Sequence, residues 1–215
     1  MKAIIFDMDG VIVDSEPLHF ELERGLLEEL GGHISPEEHN NFVGTTDYYM
    51  WSTFKKQFNI ELSVEEMIHI KKERFIENIH KLELVDHFKE LLLTLYNENY
   101  LLGLASSNNR KAVNMIVEKF DLDKYLQFII SGEEVTKGKP NPEIFLTAAK
   151  KMNVHPSQCL VIEDATNGVE AAKAAGMKCI GFQNPNSGNQ DLSGADLVID
   201  SLQNLTLEAM KELFD

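Results

Sequence analysis

The chain has 215 residues, of which 43% are hydrophobic and 26% are charged, a composition typical of a globular protein. Its formal net charge of −15 at pH 7 excludes nucleic acid and anionic membrane surfaces as natural partners, because both would repel it. No apolar run approaches the ~20 residues of a transmembrane helix. We also expect no signal peptide, because Asp7 comes before any apolar stretch long enough for export. We therefore predict a cytoplasmic protein.

The first predicted element is a buried strand over residues 2–6 that ends in two acidic residues. Asp7 and Asp9 are two positions apart, where Gly10 turns the chain, so their side chains should project to the same side. Two carboxylates this close repel each other unless a cation or a shared proton lies between them. The pair therefore indicates a divalent metal ion and a site for chemistry.

An all-helical insert should follow, over residues 14–80. Pro17 suits the first turn of its first helix, which Ser15 or Asp14 would cap and Gly31-Gly32 would end. The insert is predicted to form a small helical domain of its own.

Two more helices are predicted in the insert, over residues 48–58 and 64–79. Three aromatic side chains at helical spacing should form its core: Trp51, Phe54 and Phe58. The charged residues of 65–74 predict a solvent-exposed face. Lys71 and Lys72 should therefore be surface lysines, unless one of them reaches a substrate.

Five further strands are predicted, alternating with amphipathic helices: residues 101–105, 127–131, 159–163, 178–182 and 196–199. This alternation requires crossover connections, and hence a mostly parallel sheet covered on both faces. We predict an α/β fold, with a Rossmann-like, three-layer, doubly wound core formed by residues 1–13 and 81–215. Ligands of such sheets bind beyond the carboxyl ends of the strands.

Polar side chains follow several of these strands. The turn Ser106-Ser107-Asn108 leads into a helix and could hold an anion with its free N–H groups, although a serine such as Ser106, taken alone, is more often a helix cap. Lys139 lies in a loop stiffened by Pro140 and Pro142, and Glu163-Asp164 ends another apolar strand. Each feature has an ordinary explanation by itself, but their joint occurrence at strand ends favours a phosphate and metal site.

These residues resemble, in order, the four motifs of the haloacid dehalogenase-like superfamily of phosphotransferases. The matching segments are Asp7-Met8-Asp9-Gly10-Val11, Ser106, Lys139 within residues 138–145, and Glu163-Asp164 with Asn167-Gly168. The insert after Asp14 looks like the helical cap of the subgroup that holds β-phosphoglucomutase and sugar-phosphate phosphatases. The resemblance covers essentially the whole chain.

The resemblance implies a role for each matching residue. Asp7 would be the nucleophile, since a carboxylate is ionised at neutral pH and needs no base, and Asp9 the general acid, with a raised pKa. Mg²⁺ would be bound by oxygen ligands from Asp7, the main-chain carbonyl of Asp9, and Asp164, with Glu163 nearby. Phosphate would be bound by Ser106, Ser107 and Lys139. His19 and Asn108 would contact the substrate or the cap, and His19 would also orient Asp9.

The expected function is a Mg²⁺-dependent, monomeric phosphohydrolase of a small phosphorylated metabolite, such as a sugar phosphate. One alternative is a β-phosphoglucomutase-like phosphohexomutase with the same nucleophile. Residues 43–47 carry an acid where such mutases have an arginine, although Arg110 could supply the charge. The remote alternative is a phospho-accepting receiver or metabolite sensor, which would lack the helical insert. Cys159 and Cys179 are predicted to be reduced residues in neighbouring buried strands.

Overall fold

A parallel sheet forms the centre of the larger of two structural units. The structure is a computed structural model that describes residues 2–43 and 45–214, so Gly44 of the 43–47 loop lies outside the described residues. Met1–Asp14 and Glu83–Asp215 form the larger unit, and Ser15–Leu82 forms a second, helical unit.

Across the described residues 2–43 and 45–214, six strands make up the sheet. In chain order they are β1 Ala3–Phe6, β2 Leu101–Ala105, β3 Phe128–Ile130, β4 Cys159–Glu163, β5 Lys178–Phe182 and β6 Leu197–Ile199. They lie in the order β3-β2-β1-β4-β5-β6, and every neighbouring pair is parallel. Their bounds differ from the predicted ones by at most one residue.

Helices flank the strands along the chain. They are α1 Glu16–Glu29, α2 Pro36–Asn40, α3 Asp47–Phe58, α4 Val64–Asn78, α5 Phe88–Asn97, α6 Arg110–Lys119, α7 Glu143–Met152, α8 Thr166–Ala174 and α9 Leu207–Phe214. The first four belong to the helical unit. Within the described part of the chain, no helix is both long and apolar enough to span a membrane.

The sheet is covered on both faces because its apolar residues alternate in direction. Ala3 and Ile5 of β1 belong to a buried cluster with residues of α7 and α8. Phe6 points to the opposite face, where its ring packs edge-on against Phe88 of α5, with the centroids 5.3 Å apart. The predicted α/β fold class, with a doubly wound parallel sheet, is confirmed. Cys159 and Cys179 are buried free thiols in the neighbouring strands β4 and β5, as predicted.

The strand order creates a switch point between β1 and β4. The chain moves from β1 to β2 and β3 on one side, and then crosses to β4 on the other. In open parallel sheets, the loops that leave such a point diverge and form a crevice. The residues directly after β1 and β4 therefore lie in the position that most favours ligand binding.

The helical unit has its own hydrophobic core. Trp51 and Phe54 are fully buried and Phe58 packs against them, which confirms the predicted aromatic core. Ser15 lies at the N-cap position of α1, but its side chain makes no capping hydrogen bond, so the predicted capping role is wrong. Helix α2, which was not predicted, begins with a capping box. The side chains of Ser35 and Glu38 each accept a hydrogen bond from the main-chain N–H of the other residue.

Lys71 is a buried residue rather than the predicted surface lysine. Its side chain is 8% exposed, and its ammonium lies 3.1 Å from Glu23 and 2.9 Å from Asp47. Glu23 also bonds to His39, at 2.8 Å. Burial opposes the charge of Lys71, but the two carboxylates outweigh this effect and the pKa of Lys71 is raised. Lys72 is exposed, as predicted.

Replacing Lys71 with methionine is expected to destabilise the protein by about 3 kcal/mol, because it leaves Glu23 buried without its cation. Thermal unfolding of Lys71→Met, compared with Lys72→Met, would measure this loss. Lys72 is the adjacent exposed lysine, so the pair differs in burial and ion pairing rather than in chemistry. Equal melting temperatures for the two variants would show that the buried ion pairs contribute nothing.

Candidate active site

Three buried carboxylates lie together at the switch point. Asp7 directly follows β1, and its main-chain N–H donates to the Ile162 carbonyl of β4 at 3.0 Å, which holds the two strand ends side by side. Glu163 ends β4 and Asp164 follows it. Asp7, Glu163 and Asp164 each offer a carboxylate oxygen, and these oxygens lie within 4.8 Å of one another.

Lys139 inserts its ammonium among these acids. It donates to Asp7 Oδ1, and to Glu163 Oε1 at 2.6 Å, and its side chain is only 8% exposed. Glu163 is held further by the Ala165 N–H, at 2.9 Å. The site therefore combines one buried cation with three buried carboxylates, an arrangement that packing alone does not require.

The electrostatics of this group favour an additional cation. Burial raises the pKa of Asp7 to about 8, although the positive charge of Lys139 acts to lower it. Repulsion from Glu163 and Asp9 raises this pKa further. Burial also raises the pKa of Asp164, helped by repulsion from Glu163 and Asp7. One ammonium does not neutralise three carboxylates. The all-oxygen donor set and its excess negative charge therefore suit a hard divalent metal ion.

Asp9 accepts a hydrogen bond from a side-chain amide. Asn108 Nδ2 donates to Asp9 Oδ2 at 2.6 Å. Gly10 adopts a positive φ of 73° and turns the chain after Asp9, as predicted. The raised pKa predicted for Asp9, and the part of its main-chain carbonyl in metal binding, remain predictions.

The turn after β2 places hydroxyl and amide groups at the same end of the sheet. Ser106 is fully buried, its N–H donates to Ile130 at 3.0 Å, and its Oγ accepts from Asn108 N–H at 3.1 Å. The side chain that caps α6 is Asn109, which accepts from Ala112 N–H at 2.9 Å, so Ser106 is not the helix cap. Ser107 is exposed. Lys139 Nζ also lies 3.4 Å from the Ala105 carbonyl, next to Ser106.

His19 belongs to the helical unit. Its ring stacks on Phe75 with the centroids 4.5 Å apart, and burial, followed by repulsion from Lys71, keeps the pKa of His19 well below its usual range. Among the described residues, its Nδ1 is buried without a hydrogen-bond partner. His19 is therefore a neutral imidazole, and its proposed influence on Asp9 stays a prediction.

Two residues after β5 also reach the site and were not predicted. Ser187 donates to Asp164 Oδ2, and Asn184 donates to the Gly10 carbonyl at 2.8 Å. Both side chains are buried. The segment Gln183-Asn184-Pro185-Asn186-Ser187, in which four of five residues are polar, directly follows the apolar strand β5, and this resembles the signal that identified Glu163-Asp164.

Comparison with known proteins shows which family the chain belongs to. A family model described as haloacid dehalogenase-like hydrolase matches residues 4–182. The chain is a haloacid dehalogenase-like hydrolase. The predicted superfamily and the prediction of an enzyme are both confirmed.

Relatives of this haloacid dehalogenase-like hydrolase cover most of its length. The phosphorylated carbohydrates phosphatase of Thermotoga maritima is 33% identical over 84% of this chain and 84% of its own. The β-phosphoglucomutase of Bacillus subtilis is 34% identical over 99% of this chain and 95% of its own. A crystal structure of a family IA hydrolase from Entamoeba histolytica superposes with a TM-score of 0.86 at 26% identity, covering 100% of this chain and 99% of the other.

Proposed function

We propose that this hydrolase is a Mg²⁺-dependent phosphatase of small phosphorylated carbohydrates. The observation that supports this most is the cluster of Lys139 with Asp7, Glu163 and Asp164 at the switch point of the sheet. It combines a nucleophilic carboxylate, a cation for phosphate oxygens and the ligands of a metal ion. The name of the Thermotoga maritima relative supports the substrate class.

In the proposed reaction, Asp7 attacks the phosphorus atom and the bond to the leaving oxygen breaks. Asp9 gives its proton to that oxygen, so the sugar leaves as a neutral alcohol and the phosphoryl group stays on Asp7. A water molecule then gives a proton to Asp9 and attacks the phosphorus, which releases inorganic phosphate and regenerates the Asp7 carboxylate and the protonated Asp9. The bond from Asn108 would orient Asp9 for both proton transfers.

The other residues would stabilise the charge that develops on the phosphoryl group. Ser106 and Lys139, with the N–H groups near Ser107, would bind the non-bridging oxygens. Asp7, Asp164 and the Asp9 carbonyl would hold Mg²⁺, with Glu163 next to them. When bound, the ion supplies a Lewis acid that withdraws charge from the phosphoryl oxygens. The helical unit would act as a cap that selects the leaving group.

A phosphohexomutase is the second candidate, supported by the Bacillus subtilis relative. A mutase needs a cation for a second phosphate group. Asp47, where mutases of this kind carry an arginine, is paired with Lys71. Arg110, the other candidate, already contacts the Glu134 carboxylate and the Ile129 carbonyl. These pairings favour the phosphatase.

We also propose a cytoplasmic location. Its support is the presence of two buried free thiols, Cys159 and Cys179, in adjacent strands, which suits a reducing compartment.

The test is to incubate the purified protein with sugar and hexitol phosphates, with and without Mg²⁺. We expect release of inorganic phosphate that stops when the metal is chelated and returns when Mg²⁺ is added. A parallel incubation with glucose 1-phosphate and a hexose bisphosphate would detect the isomer. Isomer formed without free phosphate would establish the mutase, and full phosphate release in excess chelator would exclude the metal-dependent mechanism.

A further inference from the structure

Ser187 contacts one of the three carboxylates directly. Its hydroxyl donates to Asp164 Oδ2, and the two residues are 5% and 6% exposed. A hydroxyl has a single proton, which is committed here to one carboxylate oxygen. The other oxygen of Asp164, Oδ1, remains for a metal ion.

We propose that Ser187 is a positioning residue that orients Asp164 and thereby sets the affinity of the site for its metal ion. This inference rests on the proposed function, because it requires that Asp164 is a metal ligand. It adds a residue outside the four sequence motifs, in the segment that follows β5.

Asn184 fixes the turn that presents Ser187. Its Oδ1 accepts from the Asn186 N–H at 2.8 Å, and its carbonyl accepts from the Ser187 N–H at 3.2 Å. Its Nδ2 donates to the Gly10 carbonyl at 2.8 Å, which joins this turn to the loop that carries Asp7 and Asp9. The position of Ser187 is therefore fixed both by the hydrogen bonds within its turn and by the bond from Asn184 to the Gly10 loop.

The backbone at Gly10 packs closely against the side chains of Asp164 and Ser187. A Cβ atom at Gly10 would collide with Asp164 Oδ2 and would lie 2.9 Å from Ser187 Oγ, so the loop backbone approaches both side chains closely. Asp164 is thus bonded on one oxygen and enclosed by the backbone. A carboxylate constrained in this way offers its free oxygen in one orientation.

A fixed ligand binds a cation more tightly than a mobile one, because less conformational freedom is lost on binding. Hydrogen bonds that orient metal ligands typically change affinity by roughly 10–100-fold. A serine that only braces the loop would change the unfolding temperature of the metal-free protein, but it would leave the affinity of the folded protein for the ion unchanged. The two roles therefore separate in a binding measurement.

The test compares Ser187→Thr with Ser187→Val. The two side chains have the same shape, and only threonine keeps the hydroxyl. Titration calorimetry of the metal-free, full-length protein with MgCl₂, without substrate, would give the dissociation constant of each variant, and thermal unfolding in chelator would report its fold. Ser193→Ala removes an exposed hydroxyl from the same segment and serves as the control.

We expect Ser187→Val to bind Mg²⁺ at least roughly tenfold more weakly than Ser187→Thr, while Ser193→Ala binds like the wild type. If the valine variant does not fold, Ser187→Ala takes its place in the comparison. Equal dissociation constants for the variants with and without the hydroxyl would overturn the role of Ser187. A wild-type protein that binds no Mg²⁺ would instead overturn the proposed metal site, and this inference with it.

Discussion

Replacing Asp7 with asparagine is expected to reduce phosphate release by about 10⁴-fold or more, because the amide cannot form the covalent intermediate. The substitution keeps the shape of the side chain, so the fold should be unchanged. Steady-state rates with a responsive sugar phosphate, measured at saturating Mg²⁺, would check the loss. Asp121→Asn is the matched control, since Asp121 is an exposed acid of the same unit. Near-normal turnover by Asp7→Asn would contradict the nucleophile assignment.

The same variant has an expected effect on stability that depends on pH. The pKa of Asp7 is raised in the folded protein, so between pH ~4 and pH ~8 the folded chain holds more protons than the unfolded chain. The contribution of Asp7 to the free energy of unfolding of the metal-free protein therefore falls as pH rises through this window. Asp7→Asn removes this contribution, so it should melt at or above the wild-type temperature at pH 8 in chelator. A clearly lower melting temperature would contradict the inference that burial, with repulsion from Glu163 and Asp9, disfavours the charged form of Asp7.

Replacing Lys139 with methionine is expected to have the largest effect on stability. Lys139 is the ammonium that contacts both Asp7 and Glu163, and its side chain is buried among them. Removing one partner of a buried ion pair typically costs about 3–5 kcal/mol, or roughly 6–20 °C in melting temperature for a protein of this size. Loss of a phosphate contact should also reduce turnover, by about 10²–10³-fold. Thermal unfolding and steady-state kinetics would measure the two effects.

Two further variants distinguish the cause of these losses. Lys137→Met changes an exposed lysine of the same loop and should leave both stability and rate nearly unchanged. The double variant Asp7→Asn with Lys139→Met should lose less stability than the sum of the single variants, because the neutral amide that replaces the Asp7 carboxylate no longer needs the cation. Additive losses would show that Asp7 and Lys139 do not interact energetically.

The strands were predictable because each is a short apolar run ended by a polar or turn residue, as in residues 101–105 and 159–163. Helix α2 was missed because five residues are too few for a helical period, although its capping box is visible at Ser35 and Glu38. The predicted cap at Ser15 failed because a capping residue needs a backbone geometry that composition does not reveal. Local patterns thus predicted the sheet better than the details of the helix ends.

The acids and the lysine of the site were predictable because strand ends in a parallel sheet meet at one edge. The partners of those residues were harder to find. Lys71 was predicted to be a surface residue because its partners Glu23 and Asp47 are distant in sequence, and no local sequence pattern indicates such an ion pair. Ser187 was missed although polar residues follow β5, because its significance depends on a contact with the side chain of Asp164, which is distant in sequence.

The central position of β1 has a consequence for the order in which the protein is assembled during synthesis. β1 leaves the ribosome before the other strands of the sheet, yet its two hydrogen-bonding neighbours are β2 and β4, which begin at residues 101 and 159. The helical unit, continuous from Ser15 to Leu82 and with its own core, is synthesised before either neighbour. The apolar strand that precedes Asp7 therefore has neither neighbour until residue 105 has been made, and it lacks β4 until residue 163. In this interval its exposed edges make the nascent chain prone to aggregation.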